Sequence, residues 1–159
     1  MQYAIIGAGG TGGVVGYFMT KAGKDVTLIA RGRHLEAMKE HGLTLERLWD
    51  PNPETIAVKA TDMEHYKEQP DVILVCVKGY SLEDTVPFIR RVAKPDTIVI
   101  PILNIYGTGA KLQKELPELL VTDGCIYVSA NIKEPGVLVQ HGKILRIVYG
   151  CLLYTSPSP

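Results

Sequence analysis

The chain has 159 residues, 17 of them basic and 17 acidic, so its formal net charge is zero. That length is enough for one domain with a sizeable core. The balanced charge leaves no electrostatic footprint for nucleic acid or for an anionic membrane.

The longest apolar runs, such as residues 72–77 (VILVCV), are strand-sized and too short to cross a bilayer. No basic stretch precedes an apolar core and cleavage site at the N-terminus, so no secretory leader is expected. Cys76, Cys125 and Cys151 lack metal-ligand spacing, and an odd count gives no disulfide framework. Cys76 sits inside an apolar run and reads as a small core residue. The expected location is the cytoplasm.

Tyr3-Ala4-Ile5-Ile6 reads as a short buried strand ending at glycine. Val14, Val15, Phe18, Met19 and Ala22 recur at helical spacing, with Gly23 as a stop. Val26-Thr27-Leu28-Ile29 is a second strand, and residues 34–40 form a helix ended by Gly42. Asp50-Pro51-Asn52-Pro53 predicts a turn between two short strands. Residues 72–77 form a continuous apolar strand suited to the centre of a parallel sheet.

Ser81-Leu82-Glu83-Asp84 predicts a helix start with Ser81 as its cap, the helix running to about Ala93. Thr97-Ile98-Val99-Ile100 is the next strand, and residues 107–115 hold a short helix. Residues 126–132 and 137–148 are strand-like and joined by Lys133-Glu134-Pro135-Gly136, a hairpin pattern. The expected fold is α/β: a Rossmann-like, mostly parallel sheet ending in antiparallel strands. Ligands in such sheets sit beyond the carboxyl ends of the strands.

Residues 7–13 read GAGGTGG, five glycines in seven positions. Gly7, Gly9 and Gly12 give G-x-G-x-x-G between a strand and a helix. In a dinucleotide site the first glycine makes the tight turn, the second lets the pyrophosphate approach the backbone, and the third lets helix and strand pack closely. The helix N-terminus then offers free N–H groups and a favourable dipole to the phosphates. A glycine-rich turn without a ligand is the alternative, but the strand before and amphipathic helix after meet the context such a site requires.

The end of the second strand selects the nucleotide. NAD sites place a carboxylate there to accept from the ribose 2′-OH. This chain instead reads Ile29-Ala30-Arg31-Gly32-Arg33. A guanidinium can pair a 2′-phosphate with two parallel hydrogen bonds, so NADPH is expected over NADH, with Arg31 the primary contact and Arg33 its helper. A solvated basic turn is the plainer reading.

Lys78 follows the central strand, where it could meet a substrate carboxylate or the cofactor, although a surface lysine is the plainer reading. Asn104 follows the next strand. It could bind nicotinamide, ribose or a substrate carbonyl, or form an Asx-type turn before Gly107. His34, His41, His65 and His141 have no evident partners and read as structural. Neither a Ser-His-Asp pattern nor a metal site is apparent.

These residues together resemble the N-terminal domain of the ketopantoate reductase (2-dehydropantoate 2-reductase) family. The resemblance runs from Met1 to about Gly150 and rests on the loop at residues 6–12, the Leu28-Ile29-Ala30-Arg31 turn, Val75-Cys76-Val77-Lys78, the Asn104 segment and the Pro135-Gly136 hairpin. It implies NADPH-dependent reduction of a small-molecule 2-oxo acid, 2-dehydropantoate to pantoate, in the pantothenate route to coenzyme A. By the same resemblance Gly7, Ala8, Gly9, Gly10, Thr11, Gly12 and Arg31 bind NADPH. Lys78 lines its nicotinamide end, and Asn104 lies where cofactor and substrate meet. The rivals are another two-domain NAD(P)-dependent dehydrogenase, acting on a hydroxy acid or sugar phosphate, and a non-catalytic NADPH-binding module.

Two departures stand out. The family has Asn-Gly-x-Gly where this chain has Asn104-Ile105-Tyr106-Gly107, so a differently shaped substrate pocket is expected. The family also carries a helical second domain with the catalytic lysine, expected to be missing here, so no catalytic residue is assigned and Lys78 is not promoted to that role. An open cleft then favours self-association into a homo-oligomer. Finally, residues 151–159 (CLLYTSPSP) match a translation of the transposase-end adapter of sequencing libraries, TGT CTC TTA TAC ACA TCT CCG AGC CCA. The NADP-binding domain is therefore expected to span residues 1–150, followed by a non-native tail.

Overall fold

The structure is a computed structural model, and it describes residues 1–151. Strands β1 (Gln2–Ile6), β2 (Asp25–Ile29), β6 (Val72–Val75) and β7 (Ile98–Pro101) form where the apolar runs predict them. Between them run helices α1 (Gly10–Lys21), α2 (Gly32–His41), α3 (Val86–Val92) and, after β7, α4 (Thr108–Glu115). The remaining strands are β3 (Leu43–Arg47), β4 (Asp50–Ile56), β5 (Lys59–Thr61), β8 (Leu120–Tyr127), β9 (Ala130–Glu134), β10 (Val137–Gln140) and β11 (Arg146–Cys151).

The main sheet has seven strands in the order β11-β8-β7-β6-β1-β2-β5. All its pairs are parallel except β8 with β11, so the expected parallel sheet with an antiparallel end is what forms. Side chains alternate between two cores, because both faces of the central strands are covered. Ala4, Ile6, Ile73 and Val75 face the α3–α4 side, with Phe88, Ile89 and Leu112. Ile5, Val72, Leu74 and Leu28 face the α1–α2 side. The strand order runs outward in both directions from β1 and β6, which leaves a crevice at their carboxyl ends.

A second sheet, four strands in the order β4-β3-β10-β9, covers α1 from outside. Sequence patterning does not anticipate it. Helix α1 is thereby buried on two sides, and residues Gly12, Gly13, Val14, Val15, Gly16 and Tyr17 are buried in succession. Its glycines allow the double approach. A Cβ on Gly16 would stand 2.3 Å from Leu28 Cδ2 in the main sheet, and one on Gly13 would stand 2.7 Å from Leu138 Cδ1 in the second.

Three sequence expectations are corrected. The Asp50–Pro53 segment lies within β4, and the turn falls at Leu48 and Trp49. Strand β4 is an edge strand, where a proline without an N–H does not break the ladder. Ser81 caps no helix: residues 79–81 and 83–85 form two short 3₁₀ turns, and α3 begins at Val86. Pro87 explains this, since it cannot donate to Glu83 and is tolerated only in a helix's first turn. The strand expected over 126–132 divides into β8 and β9, and that expected over 137–148 into β10 and β11. The Pro135-Gly136 hairpin therefore belongs to the second sheet, while β11 returns to end the main one.

Strand β11 runs to Cys151, one residue past the domain boundary expected at Gly150. The rest of the adapter-like tail lies outside the described residues.

Candidate functional site

The site is built from the loop between β1 and α1. Gly7 has φ +95°, and its N–H donates to Ile29 O at 3.0 Å, tying the loop to the end of β2. A Cβ on Gly7 would stand 2.9 Å from Cys76 O, and one on Gly12 would stand 2.0 Å from Gly7 O. A Cβ on Gly9 would meet nothing within 4 Å. The first and third glycines thus serve packing, and the second faces open space. Among the described residues the N–H groups of Gly9, Gly10, Thr11 and Gly12 have no acceptor. They sit at the positive end of α1, whose first turn holds no acidic side chain.

Arg31 precedes α2 in extended conformation, and Arg33 lies in the first turn of that helix. Both are exposed, and neither has an ion-pair partner among the described residues. By contrast, Lys21 pairs with Glu54 and Lys59 with Asp25, each at 2.5 Å.

A cleft of about 520 Å³ opens between the glycine loop and the ends of β6 and β7. Gly9, Gly10, Thr11, Lys78 and Asn104 all line it, so residues far apart in sequence meet there. Lys78 is exposed and has no ion-pair partner among the described residues. Asn104 has structural work as well. Its Nδ2 donates to Ile126 O at 3.0 Å, and its Oδ1 accepts from Ile126 N–H at 3.1 Å. The amide therefore joins the loop after β7 to β8, in place of the Asx-type turn. Each of its polar atoms keeps capacity for one further hydrogen bond.

Ile105 takes no positive φ, and its Cδ1 lies 2.6 Å from where a Cβ on Gly79 would be. It lines this cleft and also a second one of about 430 Å³, shared with Tyr106, Asp123, Cys125 and Tyr149. Burial pushes the Cys76 thiol up to about 12, so this cleft-lining cysteine is a poor nucleophile. Among the described residues no three His, Cys, Asp or Glu side chains converge on a possible metal site. No helix there is long and apolar enough to cross a membrane.

Two parts of the site escape sequence reasoning. Ala130, Asn131 and Ile132 of β9 form one cleft wall, carried there by the second sheet. A Cβ on Gly10 would stand 2.3 Å from Ala130 O, so this loop glycine outside the G-x-G-x-x-G positions is the one signal of that contact in the sequence. His34, which reads as a lone histidine, contacts both the loop and the hairpin.

A family model described as "Ketopantoate reductase PanE/ApbA" matches residues 3–153. A 2-dehydropantoate 2-reductase from Pyrococcus horikoshii is 33% identical over 148 residues, which is 93% of this chain and 47% of that protein. A PanE/ApbA family ketopantoate reductase structure from Ralstonia eutropha JMP134 superposes with a TM-score of 0.83 at 29% identity, covering 92% of this chain and 49% of that one. A D-mandelate dehydrogenase, in a ternary structure with NADH and anilino(oxo)acetate, gives a TM-score of 0.80 at 27% identity, covering 89% and 46%. The chain thus spans about half the length of the relatives it matches.

Proposed function

The chain belongs to the PanE/ApbA ketopantoate reductase family, and from that premise we propose that it is the dinucleotide-binding half of an NADPH-dependent 2-oxo acid reductase. The preferred substrate is 2-dehydropantoate, reduced to pantoate in the cytoplasm. The observation that carries the nucleotide reading is the pairing of an open Gly9 with N–H groups from Gly9 to Gly12 that have no acceptor among the described residues, beside the guanidinium groups of Arg31 and Arg33, which have no ion-pair partner among them.

The residues present fit that cofactor. The loop amides and helix dipole would hold the pyrophosphate, and Arg31, assisted by Arg33, would hold the 2′-phosphate. When bound, NADPH supplies the hydride. Lys78 would offer its ammonium to the carboxylate of the 2-oxo acid or to the cofactor at the nicotinamide end. Asn104 would use its remaining amide capacity to orient what lies between. Lys78 is given a binding role only, and the carbonyl's proton donor is assigned to a helical domain of a longer parent. The exposed Ile105, Tyr106 and Tyr149 line the second cleft and offer that domain an apolar seat.

The test is a fluorescence titration of the 159-residue chain with each cofactor. NADPH is expected to bind about tenfold or more tightly than NADH. Equal affinities would count against the Arg31 assignment, and no binding of either against the nucleotide site.

A second reading keeps the chemistry and changes the substrate. Ile105 puts an apolar wall beside Lys78 and Asn104, which favours a 2-oxo acid with an apolar substituent over one bearing a hydroxyl. In a full-length parent, this reading expects higher kcat/KM for phenylglyoxylate than for 2-dehydropantoate. The reverse order supports the first reading.

A further inference from the structure

His34 sits in the first turn of α2 and is half-buried. Its Nε2 lies 2.8 Å from Ala8 O in the glycine loop. On the other side of the ring, Gly136 N–H donates to Nδ1 at 3.0 Å, from the turn between β9 and β10. The imidazole thus bridges two segments that the chain separates by more than a hundred residues.

The partners fix the tautomer. A backbone N–H can only donate, so Nδ1 must be unprotonated, and a carbonyl can only accept, so Nε2 must carry the proton. A doubly protonated ring would set two donors face to face at Gly136. Burial agrees, holding the imidazole below its ordinary range.

Both partners are themselves constrained. Gly136 O accepts from Thr44 N–H at 2.9 Å, and a Cβ on Gly136 would stand 3.0 Å from Ala37 Cβ, so the hairpin turn is seated on α2. On the loop side the Ala8–Gly9 peptide is trans and planar. Its carbonyl and its N–H therefore point in opposite directions. With the Ala8 carbonyl held on His34, the Gly9 N–H is turned away from His34. That N–H is the first of the free amides of the loop.

We propose that His34 is a positioning residue for the dinucleotide: as a neutral Nε2–H imidazole it sets the plane of the Ala8–Gly9 peptide and locks the hairpin against the glycine loop. The proposal rests on the nucleotide reading above. It gives the second sheet a task, since the sheet then braces the phosphate loop from outside as well as covering α1.

NADPH affinity and the thermal midpoint are measured for wild type, His34→Ala and His34→Gln. Alanine removes both bonds and is expected to weaken NADPH about tenfold. Glutamine can donate and accept without ionising, and is expected to stay within about threefold of wild type. A folded His34→Ala chain that binds NADPH as wild type does would overturn the proposal, as would a glutamine variant no better than alanine. If the alanine variant does not fold, nitrogen-15 NMR of the wild-type ring decides. The expected tautomer carries its proton on Nε2, and a proton on Nδ1 overturns the proposal. A wild-type chain that binds neither cofactor removes the nucleotide reading, and the proposal with it.

Discussion

Gly12→Ala is expected to cost the fold about 3 kcal/mol or more, while Gly9→Ala leaves stability unchanged and weakens nucleotide binding at least about tenfold. The two positions lie three residues apart in one loop, and the difference is steric. A methyl on Gly12 would stand 2.0 Å from Gly7 O and 2.8 Å from Cys76 Cβ. Neither neighbour can retreat. Gly7 is held by its bond to Ile29 O, and β1 is paired on both sides, by β2 and β6. Cys76 N–H is likewise bonded to Ile6 O at 2.8 Å.

Gly9 has φ −71° and ψ −162°, an extended conformation open to alanine, and among the described residues nothing beyond its chain neighbours lies within 4 Å of its Cβ position. The same methyl would occupy the space through which a pyrophosphate reaches the loop amides, so NADPH affinity should fall by tenfold or more, about 1.4 kcal/mol at least. Urea unfolding and NADPH titration of both variants check this. A Gly12→Ala chain of wild-type stability would mean that the loop yields. A Gly9→Ala chain of wild-type affinity would mean that the phosphates lie elsewhere.

The parts of this site that can be read from sequence are those set by neighbours along the chain. β1, the glycine loop, α1 and β2 follow one another within thirty residues, and each glycine's task depends on the strand before it and the helix after it. The central strand β6 is legible for a similar reason, because a run buried on both faces has to be apolar throughout. The rest depends on contacts the sequence does not display. His34 carries no signal of its role, since its partners are backbone atoms of Ala8 and Gly136, and any residue there would supply them. The second sheet pairs β3 with β10 in parallel across most of the chain, a register that no local pattern encodes. The Ser81 cap shows a local rule yielding to a stronger one, because Pro87 sets where α3 can begin. The Asn104 amide finds its partner in the backbone of β8 rather than in a turn of its own.

Arg31→Ala should weaken NADPH about a hundredfold and leave NADH within about twofold. The size follows from the loss of paired, charge-assisted hydrogen bonds to a dianionic phosphate, each worth about 1.5–3 kcal/mol. The selectivity follows from where the side chain is. Arg31 is exposed, makes no ion pair among the described residues, and contributes no side-chain hydrogen bond to α2, so its removal costs the fold little. NADH has no 2′-phosphate and should scarcely register the change. Arg31→Lys should recover only part of the loss, because an ammonium cannot match the phosphate with a planar fork. The wild-type preference should also narrow with added salt, since the contact is at the surface and the Debye length falls to about 3 Å at 1 M. Arg33→Ala should do less, as befits a helper in the first turn of α2. If Arg31→Ala weakens both cofactors equally, Arg31 serves a feature they share, such as the pyrophosphate. The preference for NADPH would then have to come from elsewhere in the cleft.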